Sequence, residues 1–440
     1  MGTMTVRLGL VLGLFAQSST ARAQGLGLLP QGVGLYQLGY RLMPDLDSKF
    51  DQTTAPVPLG RNFDKEFKGP EMLKGRLGQD LKKLSTILVE FEGGAGGPGT
   101  LAGDLDLGKL SGDVTANVNS TILAMGFGVT KYLTVFVGLP IVSAEVTTQL
   151  SLTGPNNAQA TLDKVGAAAF DELRDGLVRA SNLSTDEIKK NFEEFGYKPV
   201  DKWSNSGLGD LRIGAKTGVE TILQDGTNYS ASVVARVEIP TGYIERADTL
   251  TDISFGKGYY ALGLTLDQNL SRPSFFLGMD GTFLLNLDSD VEKRVPEAQE
   301  TTMAKERTAT VHLNPGDEID FGGYVGTVHG WFSPRYRLGF ARHFSDRYSG
   351  DLVGNYAELS KESDSWRLIH EAALILDSSK AYRAGKFSFP FVIAFKTSVI
   401  TNGLNTSEQK FYELSFASFF STPLAEKRPP PAKNRVPAEN

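Results

Sequence analysis

The chain has 440 residues, among them 48 Gly and 26 Phe, no Cys, and a net charge of −6. The missing Cys excludes disulfide stapling, thiol catalysis and a lipid-modified N-terminal cysteine. An acidic balance without a basic block speaks against nucleic acid as a partner.

The first residues, MGTMTVRLGLVLGLFAQSSTARAQG, carry one early basic residue (Arg7), an apolar run from Leu8 to Ala16 and a small-x-small site at Ala21-Arg22-Ala23. That layout predicts a secretory signal peptide over 1–23, cleaved before Gln24. The apolar run is about half the ~20 residues a spanning helix needs. No later segment is apolar for long enough to be such a helix. Export, no cysteine, many glycines and aromatics and no spanning helix together point to a transmembrane β-barrel, whose membrane signal is hidden in alternation.

The alternation is plain in SGLGDLRIGAKTGVE (206–220). Leu211, Ile213, Ala215, Thr217 and Val219 share one parity; Asp210, Arg212, Lys216 and Glu220 share the other. Successive side chains of a strand point to opposite faces, so one face is apolar and the other charged. The same pattern recurs in 230–239, 260–267, 274–287, 335–343 and 387–399. Twelve strands are predicted near 31–43, 113–128, 132–149, 207–220, 229–241, 256–269, 274–287, 317–332, 335–349, 364–377, 386–400 and 408–420. Many reach the ~10 residues that cross a bilayer when tilted. Connections alternate between long (44–112, 150–206, 242–255, 288–316, 350–363, 401–407) and short, as in barrels with external loops and periplasmic turns. The fold expected is therefore all-β, an antiparallel transmembrane barrel of about 12 strands over 24–420, in the outer membrane of a Gram-negative bacterium. Ten or fourteen strands would also satisfy the even-number rule. In 113–128, Val114-Ala116-Val118 and Leu123-Met125-Phe127 lie on opposite parities, which a bulge would reconcile.

Two long external loops show helical spacing. In PEMLKGRLGQDLKKL, Leu73, Leu77, Leu81 and Leu84 fall on one face; in ATLDKVGAAAFDELRDGL, Leu162, Val165, Phe170, Leu173 and Leu177 do. Such helices either pack on the barrel rim or fold inward as a plug or gate. The Pro-rich, basic tail 421–440 has no apolar pattern and reads as a disordered periplasmic extension.

By parity the lumen is lined by Asp210, Arg212, Lys216, Glu220, Arg236, Glu238, Asp267, Asp280, Arg335, Arg337, Arg367, Glu371, Lys396 and Glu413. The two signs balance, whereas charge-selective channels use rings of one sign. This suits a path for neutral solutes or a salt-bridged, closed barrel acting through its loops. Asp210 and Arg212, two apart on one face, are expected to form an internal ion pair. A hydrolase is the third class, because RHFSD sets His343, Ser345 and Asp346 together. His343 shares the lumen parity of Arg335 and Arg337, however, where a lipid-cleaving site would not lie. Acidic stretches at 45–51 and 103–113 lack calcium-ligand spacing, so no metal and no cofactor is expected.

The last strand, KFYELSFASFF, has Tyr412, Leu414, Phe416 and Phe420 on one parity and resembles the C-terminal signal read by the barrel-assembly machinery. Its 411–420 segment is followed by 20 more residues. Three stretches, GFGVTKYLTVFVGLPIV (126–142), GLGDLRIGAKTGV (207–219) and SASVVARVEIPTGY (230–243), resemble the MetA-pathway phenol-degradation family of outer-membrane β-barrel transporters. The resemblance covers about 120 residues of the first half. It implies an outer-membrane barrel, set in outer-membrane lipid, that passes small, often aromatic or hydrophobic, compounds, and it offers no catalytic residues to carry over.

Overall fold

The computed structural model describes residues 27–69, 79–94, 99–297 and 305–422. The expected signal peptide and nearly all of the expected tail lie outside these residues. Twelve strands form the barrel: β1 (Val33–Leu46), β2 (Asp106–Thr130), β3 (Leu133–Thr153), β4 (Leu211–Ile222), β5 (Asn228–Ile239) and β6 (Ala261–Ser271), then β7 (Phe275–Asn286), β8 (Glu318–Thr327), β9 (Phe332–His343), β10 (Ser365–Asp377), β11 (Phe391–Leu404) and β12 (Lys410–Ser421). Each pairs antiparallel with its neighbours in this series, and β12 pairs with β1 from Val33↔Ser421 to Leu42↔Tyr412, which closes the ring. Closure removes the open edges of a sheet and lets the strands satisfy one another's backbone groups within the wall.

The exposed and buried faces are inverted relative to a protein that packs an apolar core away from water. Tyr36, Leu38, Ile213, Leu264, Phe283, Leu338 and Leu414 are exposed on the outside. Arg212, Lys216, Arg236, Arg337 and Glu413 are buried on the inside. An apolar outer belt with a polar interior is the arrangement lipid demands of a barrel. No helix among the described residues is long and apolar enough to cross a membrane.

The parity switch in β2 has a cause other than a bulge. Its pairing with β3 runs unbroken from Lys109↔Thr153 to Gly128↔Thr134. The surroundings change instead. Near the short-turn end the outward side chains Leu123 and Met125 are exposed; farther up, the inward Val114, Ala116 and Val118 are buried. With 25 and 21 residues, β2 and β3 outrun the other strands and rise as a tall hairpin above the belt. Their inner faces pack on helices from the long loops, and their outer faces become polar: Ser143 and Gln149 are exposed there, Glu145 half-buried.

Those helices are α1 (Gln79–Phe91), α2 (Leu101–Asp104), α3 (Ala158–Val165), α4 (Asp171–Ser181) and α5 (Thr185–Glu194). Leu84 and Leu88 of α1, Leu173 and Leu177 of α4, and Ile188 and Phe192 of α5 share one core with Val114, Ala116 and Val118 of β2 and with Val142, Ala144 and Val146 of β3. The helical loops are thus seated on the inner side of the tall hairpin. The single helix expected across 160–177 is two: Gly166, at φ +57, ends α3, and Phe170 stands exposed as the N-cap residue of α4. Leu73 and Leu77 lie outside the described residues. Sequence reading missed α5, although Ser184, which accepts from the Glu187 backbone N–H, is a capping signal.

Other boundaries also move. Residues 256–260 precede β6 as loop, and Phe387 and Phe389 sit in the β10–β11 connection, because Pro390 offers no N–H to the ladder. Phe332 opens β9 rather than closing β8, and Arg347–Ser349 leaves the barrel to pair with Thr308–Asn314. The expected strand 207–220 is broken. Lys202–Leu208 pairs with 141–147 of β3 and β4 pairs with 133–138, with Gly209 and Asp210 between them.

Candidate functional site

Three charge networks occupy the inner wall. In the first, Glu413 on β12 takes Arg41 Nη2 of β1 at 2.9 Å and Lys396 Nζ of β11 at 3.5 Å. Lys396 also reaches Glu371 of β10 at 3.6 Å, and Glu371 takes Arg335 Nη2 of β9 at 2.8 Å. In the second, Arg337 of β9 donates to Asp280 of β7 through Nε (2.9 Å) and Nη2 (2.6 Å), and to Asp320 of β8 at 2.6 Å. In the third, Glu238 of β5 lies 3.3 Å from Arg212 Nε and 3.2 Å from Arg236 Nε. Lys257 joins it to Glu318 of β8, at 3.6 and 2.6 Å. Burial alone would lower the Lys257 pKa; the fields of Glu318 and Glu238 outweigh this and raise it. Each carboxylate in these chains is held by a cation, the condition under which charges persist away from water.

The sequence-predicted residues are therefore gathered, with exceptions. Asp267 is half-buried and accepts from the Tyr324 hydroxyl at 3.3 Å. Glu220 stands exposed beside the β4–β5 turn, where Asn228 donates to it. The side chains of Lys216 and Arg367 have no hydrogen bond or ion pair among the described residues. Arg41, Lys257, Glu318 and Asp320 were missed. Arg41 was readable, because Tyr36, Leu38 and Tyr40 alternate with Gln37, Gly39 and Arg41. Lys257 was also readable, because it shares the parity of Asp267 in the expected strand 256–269, although it stands in the loop before β6.

The expected Asp210–Arg212 pair does not form. Asp210 turns to the loop that follows β5, accepting from the Gly242 N–H at 3.0 Å and the Lys257 N–H at 2.7 Å. Thr241 Oγ1 donates to the Gly209 carbonyl and accepts from the Leu211 N–H. The Gly-Asp pair of 209–210 and the Pro-Thr-Gly of 240–242 thus make one clamp, which fixes the loop 240–257 over the break in the wall. A Cβ on Gly209 would come within 2.7 Å of the Pro140 ring, and one on Gly256 would collide with Asp210 Oδ1. Farther along the loop, Asp252 accepts from the Tyr243 hydroxyl and the Arg246 N–H, and burial pushes its carboxyl up to about 6.

RHFSD does not assemble a nucleophile. His343 Nε2 is 2.9 Å from Asp346 and Nδ1 is 3.8 Å from Glu318, while Ser345 is exposed. A serine without a base in reach is not activated.

Between the networks and the loops lies a cavity of about 240 Å³. Asp210, Arg236, Glu318, Arg337 and Arg367 are among its charged lining residues. Tyr259, Leu284, Val291, Leu313 and Tyr348 supply apolar lining. Val291, Leu313 and Tyr348 come from a small sheet of Ser289–Arg294, Thr308–Asn314 and Arg347–Ser349, folded from the loops.

No family model matches the chain, and no curated protein does. Among solved structures it is similar to the COG4313 outer membrane channel from Pseudomonas putida F1, with 11% identity, 89% of this chain and 97% of that chain covered, and a TM-score of 0.47. It is also similar to the toluene transporter TbuX of Ralstonia pickettii (10% identity, 90% and 92% covered, TM-score 0.31). A third likeness is to the transport unit of the autotransporter AIDA-I from Escherichia coli (9% identity, 95% and 100% covered, TM-score 0.35). Likenesses of this order say nothing about what this chain carries.

Proposed function

We propose that this chain is an outer-membrane channel of a Gram-negative bacterium that passes small neutral or hydrophobic solutes, aromatic ones among them. The observation that carries the reading is the cavity inside the closed wall, lined by apolar side chains and by charges of both signs. A balanced wall sets no barrier of one sign, and apolar residues above it receive a hydrophobic body. Residues 1–23 then serve as the export signal, 24–420 as the barrel, the 411–420 strand as the segment met by the assembly machinery, and 421–440 as a periplasmic tail. The outer belt is the lipid contact, and the inward charges named above line the path. The test is entry of toluene and of phenol into proteoliposomes carrying the mature protein. Uptake above that of protein-free liposomes supports the proposal; equal uptake contradicts it.

A second reading draws on the ion-pair networks, which span β4, β5 and β7 to β12 together with β1. Charges paired this extensively suit a barrel that stays closed and acts through its loops. Uptake equal to that of protein-free liposomes, from protein shown to be folded, would favour it.

A further inference from the structure

We propose that the cavity binds a small amphipathic monoanion, an apolar body bearing one carboxylate, and that Arg367 is the cation that holds it. The proposal takes its setting from the channel reading, but its test does not depend on conduction. Arg367 lies on β10 and lines the cavity. Its register partners are Ala341 on β9 and Gly403 on β11, and neither carries a polar side chain. Glu318 and Asp320 act on it only through space. Both are already engaged, Glu318 by Lys257 and Asp320 by Arg337.

Arg367 thus differs from the other cavity-lining arginines of the inner wall. Arg212, Arg236 and Arg337 each have a carboxylate oxygen within 3.3 Å. Arg367 is half-buried, and its side chain makes no hydrogen bond or ion pair among the described residues. A guanidinium presents five donors in a planar fork that matches a carboxylate. Tyr259, Leu284, Val291, Leu313 and Tyr348, buried residues that line the same cavity, offer apolar surface to a ring. An apolar cavity of about 150 Å³ admits benzene, so one of this size has room for a substituted ring. A second negative charge on the ligand would meet Glu318, Asp320 and Asp346, which also line the cavity.

The test is equilibrium dialysis of the purified full-length protein in detergent, with radiolabelled benzoate as the probe and benzamide as its neutral counterpart. The wild type is expected to bind benzoate saturably and more tightly than benzamide. Arg367→Gln is expected to raise the benzoate Kd about tenfold or more, as loss of a charge-assisted contact does, and to leave benzamide unchanged. Arg367→Lys should recover part of the loss. Should Arg367→Gln fail to fold, Ala341→Leu, which fills the space beside Arg367, is expected to weaken both probes. Wild-type protein that binds no benzoate, or binds it no better than benzamide, overturns the proposal. So does a folded Arg367→Gln protein with unchanged benzoate affinity. Benzoate binding without solute entry would sink the channel reading alone; solute entry without benzoate binding would sink this site alone.

Discussion

Arg41 on the first strand and Glu413 on the last stand opposite each other in register, with the guanidinium 2.9 Å from the carboxylate and both side chains buried. They lie across the seam where the barrel closes. Removing one partner leaves a buried charge uncompensated, a loss of about 3–5 kcal/mol for pairs of this kind. Glu413→Ala is therefore expected to lower the urea midpoint for folding into lipid vesicles, read by the mobility shift between unheated and heated samples. Arg41→Gln combined with Glu413→Gln should lose less than the two single changes added together.

The clamp at the strand break predicts a local effect. Gly256→Ala drives a methyl group into Asp210 Oδ1 and to 2.8 Å from the Gly242 Cα, so the loop must move. Overpacking of this sort costs about 1–3 kcal/mol. Limited proteolysis should cut the variant within 240–257 while the barrel keeps its heat-dependent mobility. Cutting no faster than in the wild type would show that the clamp does not hold the loop.

The same loop should respond to pH. Burial raises the Asp252 carboxyl to about 6, above its value in an unfolded chain. Between those two values the folded loop binds the extra proton, so its contribution to stability is fully present below the unfolded pKa and is lost as pH rises through about 6. Amides of 243–255, corrected for intrinsic exchange, should be better protected at about pH 4.5 than at about pH 7.5. Asp252→Asn should flatten that difference.

The outer belt makes a fourth prediction. Leu264, near the middle of β6, is 47% exposed on the outside. In lipid, Leu264→Arg should cost about 2–4 kcal/mol of folding free energy, the loss found for a cation near the midplane of a barrel's outer face. Refolding titrations in vesicles measure it. A loss near zero would mean that this face does not meet hydrocarbon.

Much of the barrel was legible because a strand's two faces meet different surroundings at every second residue. The twelve strands follow from that period, as do the buried positions of Arg212, Arg236 and Glu371. Legibility ended where the surroundings change along one strand. Val114 and Met125 of β2 break parity without breaking the ladder, because one meets the helices and the other the outer belt. It ended also where an acceptor binds backbone. Asp210 looked like a partner for Arg212, yet it holds N–H groups 32 and 47 residues away, which no spacing announces.

The channel reading stands or falls on single-channel recording of the refolded mature protein in a planar bilayer under a KCl gradient. Steady ohmic steps with a reversal potential near zero are expected, because the inner wall balances its charges. Silence from protein shown to be folded on the same sample would contradict it.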